Sequence, residues 1–541
     1  MRFVTSARRV SALLFVAVLS ACGSGDGSQQ SSTSISTNDV SFSAASPDAS
    51  TPPAQILTAT IDPEAIYVAV LHNGAAIASV TYSLSGDTAQ IVVDPASPGG
   101  LGAGVFTGTI TVVGYRCADP ACSRLVSGNS QIVNVVYQIP PVVRFVAPYV
   151  GVAATADTAV IRGQGFQKFT VEGVTFGATA ATTFTVVSDT EIRASYPALA
   201  VETYPVRIQA PSSPGAITSL ANLVIVAAPA YVATTLVYPA AVSPVSQIQA
   251  LRYDAERQAL LVAVNGGQIL RYAYAGAWGA PTTAAVGSLS DIALSTDGQQ
   301  LLALAQTALT QIDPATLAAG TVTPAPALAA DVFLKNLAVA NDGNAVVTTG
   351  YNGSSNTQTY LYATRSPAFS QPATAPSMDN STPGGSADGS SIVLAQGSPA
   401  LASATGVYRY LAASQTFSVT GVSLNQNSIA PALDRAATRI VLNGTNVYDA
   451  GYNFLGTLPS TTLAVVVKPD ATRAYTFDSA ASQVLSFDLT ASPAGGAFPQ
   501  VESGTAPAGD PGTGVRMAIS PDGGTLFLAG NNQIAVQPAP P

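Results

Sequence analysis

Between residues 230 and 541 one short pattern returns seven times, and it constrains the fold more than any other feature: an apolar run, an aspartate in a turn, then a second apolar run. The aspartates are Asp254, Asp297, Asp342, Asp388, Asp434, Asp470 and Asp522, spaced 43, 45, 46, 46, 36 and 52 residues apart. A unit of about 45 residues holds a few short strands and cannot bury its apolar faces alone, so it must stack on copies of itself. Two units show the pattern well: Leu294-Ser-Thr-Asp-Gly298 before Leu301-Leu-Ala-Leu304, and Ile519-Ser-Pro-Asp-Gly523 before Leu526-Phe-Leu528. Asp before Gly suits a tight turn, where the carboxylate bonds local backbone and Gly takes a positive φ. The seven aspartates therefore read as structural turn residues, not as metal ligands or catalytic acids. The unit around Asp388 is the least regular, because its first strand, 381–386, is mostly polar.

Seven units of this length fit a seven-bladed β-propeller with four strands per blade. The Ser-Pro-Asp-Gly turn followed by an apolar strand resembles YVTN-type propellers. After Asp522 the chain has room for only about two more strands, ending at 533–536, while residues 231–238 precede the first repeat and are strand-like. Residues 231–238 are therefore expected to supply the outer strand of the last blade, which closes the ring and removes free sheet edges.

Upstream, residues 56–139 show apolar/polar alternation at 66–71, 78–83, 89–93, 105–113 and 131–139, the period of an antiparallel β-sandwich. The stretch Gly-x-Phe-Thr-Gly-Thr-Ile-Thr-Val from Gly104, a two-cysteine loop and a closing strand resemble immunoglobulin-like modules of bacterial envelope proteins. Residues 140–229 carry Pro141, Val143, Val146, Pro148 and Gly151, then Val160-Ile-Arg-Gly-Gln-Gly-Phe166 and Val174-Thr-Phe-Gly177. Val187-Ser-Asp-Thr-Glu-Ile-Arg-Ala-Ser-Tyr-Pro197 and Tyr204-Pro-Val-Arg-Ile208 follow. This segment resembles a TIG (IPT) domain, an immunoglobulin fold that in bacteria serves as a spacer and in some proteins binds carbohydrate or protein. Gly163 and Gly165 allow a bend that other residues would strain.

The N-terminus has Arg2, Arg8 and Arg9, an apolar stretch over 10–19, and Leu19-Ser-Ala-Cys22. The apolar stretch is too short to span a bilayer. The order of basic, apolar and small residues before Cys resembles a bacterial lipoprotein signal. The resemblance implies a signal peptide over 1–21, lipid on Cys22 and an envelope location, with Gly23 leaning toward the outer membrane. Residues 22–55, rich in Ser, Gly, Asn, Asp and Pro, read as the lipidated Cys and a flexible tether. Cys117 and Cys122 remain in Cys117-Ala-Asp-Pro-Ala-Cys122; in an oxidising compartment they are expected to pair, since the spacing is not C-x-x-C and no His is near.

Composition removes several functional classes. Charged residues are 9% of the chain, net charge is −9, and the only lysines are Lys168, Lys335 and Lys468. No basic patch gathers phosphates, so nucleic acid is not an expected partner. The single histidine, His72, precedes Asn73-Gly74 and lies outside the repeats, so no His-based metal site or Ser-His-Asp triad can form there. Asn341-Asp-Gly-Asn344 resembles half a calcium loop but lacks the downstream glutamate. Trp278, alone among the repeats, reads as a packing or rim residue. Neither metal nor cofactor is expected, and no ligand-binding residue stands out. The expected fold is all-β: two immunoglobulin-like β-sandwiches followed by a seven-bladed β-propeller over 230–541. The expected function is a lipid-anchored binding or adhesion protein that takes protein or glycan at a propeller face. The alternatives are a periplasm-facing scaffold and, from a different class, a propeller hydrolase or lyase.

Overall fold

The computed structural model describes residues 33–116, 125–353, 357–378, 380–396, 406–424, 429–460, 462–501 and 504–540. Cys22, Cys117 and Cys122 lie outside the described residues. The structure is nearly all β, built from many small sheets. Two compact units form: Met1–Val142 with Gln167–Thr170 and Ala210–Thr218, and Val143–Phe166 with Val171–Gln209 and Ser219–Pro541.

The first unit holds two four-stranded sheets. One runs Ser34–Ile35, Gln55–Thr60, Thr88–Pro95, Ile77–Ser85; the other runs Asp39–Ser43, Leu125–Ile139, Gly104–Tyr115, Tyr67–Gly74. Alternation produces the core: Ile110 and Val112 with Val133, Val135, Tyr137 and Ile139 are sealed from solvent, and Ile91 and Val93 join them from the other sheet. The tether expected over 22–55 is corrected here. Asp39–Ser43 pairs in parallel with Leu125–Ile139 through Asp39↔Asn134 to Ser43↔Gln138, and buries Val40 and Phe42. Two apolar residues spaced by two suffice for a strand when a ready sheet edge receives them. His72 sits in the strand Tyr67–Gly74, opposite Ile110, and is exposed.

The second unit begins with two five-stranded sheets, called here the upstream module. Phe166, Phe176, Tyr196, Ile161, Ile192 and Leu223 fill its core, with the Phe176 and Tyr196 rings 5.2 Å apart. Gly165 takes φ +91°, whereas Gly163 continues the strand Asp157–Gln164 without a positive φ.

Seven small sheets follow. Their first strands are Ile248–Asp254, Leu289–Leu294, Val332–Val339, Thr382–Gly385, Ala432–Leu433, Thr462–Val467 and Arg516–Ile519. Each first strand contacts the next, and the last contacts the first, so the sheets form a closed ring with these strands innermost. Six sheets have four strands; the sixth in order has three, and its third strand, Gln483–Asp488, meets the later chain through single bridges Phe487↔Gln500 and Val484↔Thr505. Closure uses the segment expected for it: Thr234–Leu236 pairs antiparallel with Ile534–Pro538 as the outer strand of the last sheet. Second strands such as Ala259–Val264, Leu301–Ala305 and Thr525–Ala529 are buried along their whole length. They lie between neighbouring sheets on both faces, so their sequences run continuously apolar instead of alternating.

Candidate functional site

Six of the seven turn aspartates fall in the link between the first and second strand of their sheet, and Asp254 ends its first strand, so all seven share one mouth of the ring. Their carboxylates are engaged locally. Asp388 accepts from the Ser386 hydroxyl at 2.7 Å and the Ser390 amide at 2.8 Å. Asp434 accepts from the amides of Ala436 at 3.2 Å and Arg439 at 2.6 Å. Asp470 accepts from the Thr472 amide at 3.0 Å, and Asp522 from the Gly524 amide at 3.1 Å and the Ser520 hydroxyl. Asp254 accepts from the Arg257 amide and guanidinium at 3.2 and 3.1 Å. Asp297 takes the Ser295 hydroxyl at 2.8 Å and the Arg365 guanidinium of the next sheet at 3.2 Å. Asp342 takes the Asn344 amide at 3.1 Å and the Tyr410 hydroxyl of the next sheet at 2.6 Å. Burial pushes the Asp254 and Asp342 carboxyls up against these opposing bonds. Among the described residues no three His, Cys, Asp or Glu side chains gather to hold a metal ion.

The turns also clasp one another. The Arg257 guanidinium donates to the Gly298 carbonyl at 3.0 Å, Thr296 to the Ala340 carbonyl at 2.6 Å, and the Asn341 side chain to the Asp388 carbonyl at 2.8 Å. The Asp388 amide donates to the Arg435 carbonyl at 3.0 Å, and the Arg435 amide to that of Pro469 at 3.2 Å. Each bond runs from one sheet to the next, so this mouth is stapled by its own turns.

The upstream module covers that mouth. Its Tyr149 ring lies against Gly298, where an added Cβ would fall 2.1 Å from the ring, and Phe145 lies against Gly343, where it would fall at 2.5 Å. Arg365 stacks on Phe145 at 4.1 Å from the ring centroid. Buried Arg162 donates to the Asn341 side chain at 2.7 Å and pairs with buried Glu191 at 2.7 Å, which also holds Arg193 at 2.8 Å. Arg435 pairs with Asp157. These contacts leave a cavity of about 250 Å³ lined by Tyr149, Thr296, Asn341, Asp388 and Arg435, among others. Burial and the carboxylates of Asp254, Glu256 and Asp297 raise the Tyr149 phenol well above its ordinary value. The arrangement is a seal.

Toward the other mouth the innermost strands carry a different chemistry. Four of them bulge at the same height, between Ile248/Ala250, Leu289/Asp291, Leu334/Asn336 and Thr462/Ala464. A bulge leaves one residue unpaired and re-aims its neighbours. Asp291, at one bulge, accepts from the Arg252 guanidinium at 3.1 Å and from the amides of Ile292 at 2.8 Å and Leu337 at 3.0 Å. Burial raises its pKa, and Arg252 and the two amides oppose the rise. Lys335, at another bulge, donates to the Asn380 side-chain oxygen, Oδ1, at 2.8 Å; burial lowers its pKa. Asn336 donates to the Ser381 carbonyl at 2.9 Å. Arg516 stands on the innermost strand of the last sheet, near Asp291 and Arg252; burial lowers its pKa, and Asp291 opposes that. Arg252, Asp291 and Arg516 were not readable as a site from the sequence. A charged residue in the apolar first strand of four repeats, Arg252, Asp291, Lys335 and Arg516, was the available signal. Trp278 packs in a cluster with Tyr231, Tyr274 and Phe527.

No protein-family model matches the chain, and no curated protein matches its sequence. Among solved structures, hydrazine synthase of Kuenenia stuttgartiensis is similar over 55% of this chain and 97% of its own, at 13% identity and a TM-score of 0.42. Hsv2 of Kluyvelomyces marxianus is similar over 52% of this chain and 88% of its own, at 7% identity and a TM-score of 0.36. Both likenesses are too distant to bear on function.

Proposed function

We propose that this chain is a lipid-anchored envelope binding protein, not an enzyme. In this reading the ring of seven sheets is a seven-bladed β-propeller, the two upstream sheet pairs are immunoglobulin-like, and the ligand is a protein or glycan. The observation that supports a binding role is the asymmetry of the ring. One mouth is stapled by its turns and covered by the chain's own upstream module, while the opposite mouth keeps a layer of polar and charged groups. In that layer the Asp291 carboxylate is held by Arg252 and the amides of Ile292 and Leu337, an engagement that disfavours a role as a general acid or base.

The reading includes lipid on Cys22 and a Cys117–Cys122 disulfide. Protease shaving of intact cells, with a periplasmic control and an immunoblot for the ring, tests it. Loss of the ring from intact cells, together with a hit on glycan or protein arrays, supports surface capture. Protection until the outer membrane is opened removes the adhesin reading and favours a periplasmic scaffold. Intact-mass analysis of the membrane-extracted protein checks the lipid: a mature chain beginning at Cys22 without added acyl mass removes the anchor.

A further inference from the structure

The geometry points to an oxyanion site at the centre of the ring, built by Arg516 and Arg252, that takes a carboxylate carried by the ligand. The inference rests on the binding-protein reading and names the chemistry its site would recognise.

Arg252 pairs with Asp291 at 3.1 Å, and its strand, Ile248–Asp254, packs between the strand that carries Asp291, Leu289–Leu294, and the one that carries Arg516, Arg516–Ile519. The Asp291 carboxylate is already committed: one oxygen takes Arg252 and the Ile292 amide, the other takes the Leu337 amide. Arg516 has no carboxylate within salt-bridge distance among the described residues; its only hydrogen bond there is a 3.5 Å contact to the neighbouring Val515 carbonyl. The cluster therefore carries one positive charge in excess, within a chain of net charge −9.

Arg516 is exposed although it sits on an innermost strand. Protein surrounds it closely enough to strip part of its hydration, yet a solute can reach it. A partly desolvated guanidinium with free donors binds planar oxyanions well, because its fork matches a carboxylate in two parallel bonds. Asp291 orients Arg252 without neutralising Arg516. The bulges supply a third, independent observation: in the first, second and third sheets they break the inner ladder at one height, next to this cluster. At the first bulge the Gln249 side-chain oxygen is buried with no hydrogen-bond partner, an acceptor suited to a sugar or acid hydroxyl. The covered mouth makes the approach one-sided, so the ligand would enter by its acidic end.

Isothermal titration of the full chain with D-glucuronate, acetate and inorganic sulfate, at low and high salt, tests the site. Saturable binding that weakens with salt is expected, with glucuronate tighter than acetate if a sugar acid is the source and equal to it if a free carboxylic acid is. Arg516→Gln is expected to weaken binding about tenfold or more, the loss of a charge-assisted bidentate pair. Its unfolding midpoint without ligand should stay close to wild type, since no ion pair is lost and the attraction of Asp291 for Arg516 is offset by the repulsion of Arg252. Arg207→Gln, which removes an exposed cation of the upstream module, should bind as wild type does. Absence of saturable binding by all three anions overturns the proposal, as does equal binding by Arg516→Gln. An array ligand that binds wild type and Arg516→Gln alike removes the oxyanion site while leaving the binding-protein reading intact. Absence of any array ligand removes that reading by itself.

Discussion

At the residue scale, Gly298 shows how one position can answer two demands. Its φ of +67° lies in the left-handed region, and the Tyr149 ring occupies the space a side chain would need. Gly276 has φ +82° and open space around it. Gly276→Ala should therefore cost about 1 kcal/mol, the backbone term alone. Gly298→Ala should cost that plus roughly 1–3 kcal/mol of overpacking against the ring. Urea unfolding of both variants checks it; equal losses would mean that Tyr149 gives way freely. Asp342 makes the electrostatic case. Burial raises its carboxyl above the unfolded value, so its contribution to stability is full below the unfolded pKa and is lost as pH rises through the folded one. Asp342→Asn keeps an acceptor for Tyr410 and removes the buried charge. It should hold or raise the midpoint at pH 7 by about 1 kcal/mol equivalent and flatten the rise in stability on acidification. A loss at pH 7 would show that the charge itself is needed. Asp297, Asp342, Asp388 and Asp522 read as turn residues because each precedes Gly, and Asp-Gly has one common structural use. The rings resting on their glycines were not legible, because nothing in Asp297-Gly298 specifies a neighbour 149 residues earlier in the chain.

At the scale of elements, closure depends on a three-residue strand. Thr234–Leu236 bonds Ile534–Pro538, and Leu236 is 6% exposed within the core shared by the first and last sheets. Leu236→Asp would bury an unpaired charge in that core. The outer strand should detach, and the amides of Ala535 and the adjoining residues should lose hydrogen-exchange protection before those of Leu526 to Leu528. Uniform loss of protection would mean the ring unfolds as a whole instead of opening at this seam. This strand was readable in advance because a closed ring needs exactly one strand from the far end of the sequence, and 231–238 was the apolar run without another role. Asp39–Ser43 escaped the same reading. Its Val40 and Phe42 stand among Ser, Thr, Asn and Asp, a composition that marks a linker unless a sheet edge is waiting.

At the scale of the molecule, the upstream module and the ring form one compact unit through aromatic and ionic contacts. Calorimetry should show residues 143–541 unfolding together. Phe145→Ala combined with Tyr149→Ala should split that transition in two, since each part keeps its own core. A single transition in the double variant would place the coupling in Arg162, Glu191 and Asn341 instead. By itself the sequence determined that the chain is nearly all β, built of many short strands, and that the segment just ahead of the repeats pairs with its last strand. Both follow from local patterning: short apolar runs broken by turn residues, and one apolar run left without another role. Only the tertiary structure decided which mouth is covered, which charges meet in the ring's centre and why Arg516 is left with an unanswered charge. Those depend on side chains brought together from segments hundreds of residues apart, such as Arg252 with Arg516, and local patterning carries no record of such meetings.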